Sequence, residues 1–206
     1  MSKRRAWLAL SIAAAAAWLP ACGREAPEPA DAAPADAPRG VVDSIFPVEE
    51  ELHRFQATLG PEPTRLVGGA TSLDALVARF ARAVEASDTA AFRDMLLTRD
   101  EFGWLYYPTT RFTVPPYRHP PALVWFEIEN GSSHGLSRIF SQLAGRPLGM
   151  KGFTCPPEPR TEGRNEVLEG CVVRIEGPEG TVDATLFGSV LARDGVFKFV
   201  SYTNGI

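Results

Sequence analysis

Two hairpin signals near the C-terminus fix a strand register, and that register limits what the rest of the chain can be. Arg193-Asp194-Gly195-Val196 suits a two-residue type I′ turn, because Asp and Gly tolerate the positive φ needed at both central positions. Pairing Arg193 with Val196 sets Ala192 opposite Phe197, Val190 opposite Phe199 and Gly188 opposite Ser201 on one side. Phe187, Ser189 and Leu191 then point the other way with Lys198, Val200 and Tyr202. Upstream, the Gly177-Pro178-Glu179-Gly180 loop pairs Glu176 with Thr181, Ile175 with Val182, Val173 with Ala184 and Cys171 with Leu186. Both hairpins select the same apolar face, so residues 168–202 read as three antiparallel strands. An antiparallel sheet wet on one face takes its cover on the other from helices, and these must come from upstream.

The helical patterns are there. Residues 47–59 carry Pro near the first turn, Glu49, Glu50 and Glu51 at the positive end of the dipole, and Val48, Leu52, Phe55 and Leu59 on one side. Thr71-Ser72-Leu73-Asp74 opens a second helix, with Asp74 at the acid position of a capping box and Leu73, Leu76, Val77, Phe80 and Val84 at the helical period. Asp88 caps a third, with Phe92, Met95 and Leu96. Pro120-Pro121 starts a helix that Asn130-Gly131 ends, and Ser132 or Ser133 starts another, with Leu136, Ile139, Phe140 and Leu143 inward. Residues 148–155 read as a first strand and 156–165 as a polar, Pro-rich excursion. The expected fold class is therefore α+β, with helices packed on one face of a curved antiparallel sheet of about four strands.

The front of the chain has a different character. Residues 1–21 place Lys3, Arg4 and Arg5 before an apolar run over 6–19 that is too short to span a bilayer, followed by small residues, which is the order of an export signal. Leu19-Pro20-Ala21-Cys22 resembles the lipobox of bacterial lipoproteins, with Pro20 where a small or β-branched residue is usual. The resemblance implies removal of the leader, lipidation of Cys22 and a location in the bacterial cell envelope, facing the periplasm or the extracellular side. The alternative is an ordinary secretory signal cleaved nearby. Residues 22–40 are nearly all Ala, Pro and acidic, an extended tether at about 3.1 Å per residue. Residues 41–206 are the expected single domain.

With Cys22 assigned to the anchor, Cys155 and Cys171 form an even pair in an oxidising compartment and read as a disulfide, with free thiols or a metal pair as the alternatives. The net charge of −4 falls to −7 without the leader's three cations, and no basic stripe interleaved with aromatics offers a nucleic-acid footprint. His53, His119 and His134 have no metal-ligand spacing, no Gly-rich phosphate loop follows a strand, and no Gly-x-Ser-x-Gly elbow occurs, so no metal or cofactor is expected.

Phe102, Trp104, Leu105, Tyr106, Tyr107 and Phe112 crowd a segment broken by Pro108, Pro115 and Pro116. Such aromatics either plug one end of a core or line a cleft, with Trp104, Tyr106 and Tyr107 as the pocket candidates. The acid/base candidates are Asp100 and Glu101 beside this segment and His119 beyond it. From residue 73 to 202, the helical hairpin carrying Leu76, Phe80 and Asp88, the aromatic connection, further helices and the antiparallel strands resemble the NTF2-like (SnoaL-like) superfamily. That resemblance implies a curved sheet wrapped round helices over a pocket. Some members use the pocket for isomerase or hydratase chemistry and many use it only to bind. No position here matches their catalytic Asp–His pairs, so no site is carried over.

The expected function is a lipid-anchored envelope protein with a non-catalytic ligand-binding or protein-interaction domain. The alternative is an NTF2-like small-molecule enzyme of isomerase, hydratase or hydrolase type, with a pocket lined by residues 102–112. The membrane is the expected partner of the N-terminus. The face with Phe187, Val200 and Tyr202 calls either for cover by the 47–59 helix or for self-association or an envelope partner.

Overall fold

A computed structural model describes residues 46–177 and 180–206; the expected leader, Cys22 and tether lie outside them, as do Pro178 and Glu179 of the first hairpin loop. In chain order come α1 (Val48–Gln56), α2 (Leu73–Ala86), α3 (Thr89–Met95) and α4 (Arg99–Glu101), then a π turn (Phe102–Tyr106) and two 3-10 turns (Tyr107–Thr109, Arg111–Thr113). After α5 (Pro121–Gln142) follow seven strands: β1 (Gly152–Thr154), β2 (Arg160–Glu162), β3 (Asn165–Leu168), β4 (Val172–Gly177), β5 (Gly180–Ala184), β6 (Val190–Arg193) and β7 (Val196–Phe199). The class is α+β, with all strand pairs antiparallel.

Both hairpins hold the expected register, Val190 opposite Phe199 and Arg193 opposite Val196 in one, Ile175 opposite Val182 and Val173 opposite Ala184 in the other. Asp194 and Gly195 both take positive φ, as the tight turn demands. They do not form one continuous meander. The β4–β5 ladder ends at Val173 and Ala184, short of Cys171 and Leu186, and the strands divide into the sheets β1-β4-β5 and β2-β3-β6-β7. The neighbour of β6 is β3, from the stretch whose polarity argued for an irregular excursion. That polarity conceals a hairpin: Glu162 lies opposite Asn165, and both are inward, at 6% and 0% exposure. Alternation is present there, with polar residues on the buried side.

The change of sheet between β5 and β6 also breaks the alternation that put Phe187 with Val200 and Tyr202 on an outer face. All three are buried, at 1%, 4% and 0%. The Phe187 ring lies 4.6 Å from that of Phe199 and 5.4 Å from that of Phe80 on α2, and Tyr202 packs against Phe92 of α3 at 5.3 Å. Val200 joins a second cluster that includes Phe55, Phe102, Trp125 and Leu191. The expected outer face is covered within the chain by several elements. The free edge of β7 is closed too, by paired backbone bonds between Ala70 and Phe197 (2.8 and 3.0 Å) and a bond from the Leu97 N–H to the Phe199 carbonyl (2.8 Å).

Local signals explain the helix boundaries with two exceptions. Asp88 caps α3 by accepting from the Ala90 and Ala91 N–H groups, both at 3.0 Å. At α2 the N-cap is Ser72, whose hydroxyl accepts from the Ala75 N–H, so Asp74 is not part of a capping box; among the described residues such a box is present at Thr98–Glu101 of α4. The larger departure is α5, one helix of 22 residues where Asn130-Gly131 argued for two. Glycine at 131 and 135 lowers helix propensity, but it also leaves a flat strip one turn long. The segment after β7 lies on that strip. The Tyr202 N–H donates to Ser132 Oγ (3.1 Å), Asn204 Nδ2 donates to the Gly135 carbonyl (2.9 Å), and a Cβ on Gly135 would collide with the Tyr202 carbonyl oxygen. Tertiary contact outweighs the local stop signal.

Cys155 and Cys171 are disulfide-bonded, tying the end of β1 to the start of β4 across a separation of 16 residues. In the chain-entropy account a loop of this size stabilises by roughly 3 kcal/mol.

Candidate functional site

The acid/base candidates take separate partners. Asp100 Oδ1 accepts from the Gly60 N–H at 3.3 Å, holding α4 to the chain after α1. Glu101, 3% exposed, accepts from the Val67 N–H (2.7 Å), the Thr98 N–H (2.8 Å) and Lys198 Nζ (2.8 Å). Lys198, 1% exposed, also donates to the Val67 carbonyl at 2.7 Å, so the two buried charges pair with each other and with backbone groups of the 67 loop. This is a clamp between the 67 loop, α4 and β7. The His119 ring stacks on Phe112 at 5.8 Å, its Nδ1 is buried without a partner, and its carbonyl accepts from the Tyr107 hydroxyl. No hydrogen bond joins any two of the three.

The aromatic candidates also separate. Trp104 Nε1 donates to the Gly60 carbonyl at 3.2 Å. Tyr107 is wholly buried against Phe102, and burial, helped by Glu49 and Glu51, pushes its hydroxyl up to about 12. Tyr106 lines a recess. The segment is held from below by a polar row across β2, β3 and β6, in which Glu162, Asn165 and Arg193 stand side by side. Asn165 Nδ2 donates to the Leu105 carbonyl (2.9 Å) and to Thr109 Oγ1 (3.1 Å), and an Arg193 guanidinium N–H donates to the same carbonyl (3.2 Å). Glu162 accepts from the Arg111 N–H (3.1 Å) and from Arg160 Nε (2.8 Å). The inward polar strand residues thus clamp the π turn and fix where Tyr106 sits.

Two recesses flank α5. On one side a groove runs between α3–α4 and α5, with a cavity of about 520 Å³ bounded by Leu96, Leu97, Trp125, Ile128 and Leu136 and a further one of about 260 Å³ toward Phe92 and Phe140. Arg93 borders both parts and, among the described residues, has no carboxylate partner, while Arg99 is held by Thr58 Oγ1 at 3.0 Å. Trp125 is 8% exposed and its Nε1 has no hydrogen-bond partner. On the other side, Tyr106, Phe112, Glu127 and Glu169 bound a recess of about 200 Å³.

The groove residues Arg93, Trp125 and Leu136 were not singled out as site residues from sequence. On α5 the lining positions 125, 128, 129, 132, 133 and 136 follow the helical period only if the helix continues through Gly131, and splitting it there hides the stripe. Among the described residues no group of three or more His, Cys, Asp or Glu could hold a metal ion, and no helix is long and apolar enough to cross a membrane. Comparison with family models, curated proteins and solved structures finds no match.

Proposed function

We propose that this chain is a lipid-anchored protein of the bacterial cell envelope whose folded part binds an elongated apolar ligand with an anionic end, without catalysis. The observation that carries the binding reading is the α3–α5 groove. Its volume falls in the range of small-molecule sites and its floor is aliphatic and aromatic, while its polar lining sets Arg93 and Arg99 against one carboxylate, Glu129, beside Thr98, Ser132, Ser133 and the unpartnered Trp125 Nε1. No acid/base pair faces it, since His119, Asp100 and Glu101 are engaged elsewhere. The stripe from Trp125 to Phe140 extends about 22 Å along α5 at the helical rise, which favours an extended ligand over a compact one. The Cys155–Cys171 disulfide is the bond expected of an exported chain and supports the signal and Cys22 readings. The NTF2-like resemblance enters in the same way, as an architecture whose members commonly bind between helix and sheet.

The test is titration of the purified chain with laurate and with dodecyltrimethylammonium, followed by indole fluorescence. Laurate saturates, the cationic amphiphile binds at least about tenfold more weakly, and Arg93→Glu removes that preference. Equal affinity for both head groups, unchanged by Arg93→Glu, contradicts the assignment.

A further inference from the structure

We propose that the recess on the opposite side of α5 is a second, independent site, which binds a small organic cation with a compact apolar body. The recess holds about 200 Å³, room for a single small molecule. Its walls are Phe112, Val124 and Ile128, and the ionisable side chains that line it are Glu127, Glu169 and Tyr106, with no cation among them.

The charges around it are unequally engaged. Glu169 accepts from both terminal nitrogens of Arg160 at 2.8 and 3.1 Å and pairs with Arg111 at 3.6 Å. Those hydrogen bonds from Arg160 hold its carboxyl below the usual range, so it stays ionised and neutralised. Glu127, exposed on α5, has no ion pair among the described residues and leaves the recess with a net negative wall. An anion is repelled there and an ammonium is drawn in.

Tyr106 supplies the independent observation. It is 3% exposed, and among the described residues its hydroxyl takes part in no hydrogen bond. Tyr106 lines the recess, so its hydroxyl is placed to hydrogen-bond a group that arrives from outside. Burial raises its pKa, with Glu162 adding to the effect, so the oxygen stays a neutral phenol that can accept from an ammonium. Glu162 Oε2, buried without a partner, adds negative potential at Tyr106. An ammonium between Tyr106 and Glu127, with its apolar body on Val124 and Ile128, meets each of these features.

The experiment is calorimetric or NMR titration of the purified full chain at neutral pH and low salt with benzylamine, benzyl alcohol and benzoate, which share one ring and differ in charge. Benzylamine saturates one site, benzyl alcohol binds about tenfold more weakly, and benzoate does not bind. Glu127→Gln and Tyr106→Phe each weaken benzylamine about tenfold, and Arg93→Glu in the other groove leaves it unchanged. Benzoate binding as well as benzylamine overturns the proposal, as does an unchanged benzylamine affinity in either Glu127→Gln or Tyr106→Phe. Should Tyr106→Phe not fold, Glu127→Gln on the exposed helix face decides the question alone.

Discussion

Replacing Lys198 with Met tests how the buried Glu101–Lys198 clamp holds the 67 loop and α4 onto β7. The substitution keeps most of the side-chain volume and removes the charge. Glu101 keeps its bonds from the Val67 and Thr98 N–H groups but loses its counter-ion, and the Val67 carbonyl loses its donor. An uncompensated buried carboxylate costs about 3–5 kcal/mol. For a chain of this size, about 2–4 °C per kcal/mol converts that to a fall in Tm of roughly 6–20 °C. Thermal and urea unfolding followed by far-UV circular dichroism measure it. Glu101→Leu combined with Lys198→Met is more stable than Lys198→Met alone, because no charge is left buried. It does not reach wild type, since the Val67 and Thr98 N–H groups lose their acceptor. A Lys198→Met protein within 1 kcal/mol of wild type would refute the reasoning.

Gly135→Ala destabilises the protein by about 1–3 kcal/mol even though Ala is the better helix former, because the added methyl meets the Tyr202 carbonyl; equilibrium unfolding checks both sign and size. Tyr107 titrates late. Burial holds its folded pKa at about 12, above the ordinary phenol value of 10.0, so the folded state holds a proton that the unfolded chain gives up. The stability it contributes is complete below about pH 10 and is lost as pH rises toward 12. Absorbance at 295 nm during alkaline titration should therefore show a phenol that ionises only as pH rises toward 12, and Tyr107→Phe should remove that late step.

Where side chains and turns act locally, the sequence was readable. Asp194-Gly195 specified its hairpin, Asp88 its cap, and the pairing of Cys155 with Cys171 followed once Cys22 was set aside. The apolar stripe of α2 found its place in the core. What failed depended on contacts distant in sequence. Gly131 reads as a helix stop until the segment after β7 is seen lying along the glycine strip. Glu162 and Asn165 read as loop residues until the π turn they hold is present. The meander read as continuous because β3 was not recognised as the partner of β6. The same errors hid the recesses, since the α5 stripe was split at Gly131. Glu101 was singled out as an acid/base candidate, a carboxylate beside an aromatic segment. Its partner lies 97 residues away, on β7.

The claim on which the functional reading rests is the anchor at Cys22, and the N-terminal peptide of the mature chain, recovered from a bacterial envelope fraction, tests it most directly by mass spectrometry. The account predicts that the peptide begins at Cys22 and carries a diacylglycerol thioether, and that Cys22→Ala moves the protein from the membrane pellet to the soluble fraction. A peptide that begins elsewhere, or one that begins at Cys22 with a free thiol, contradicts it.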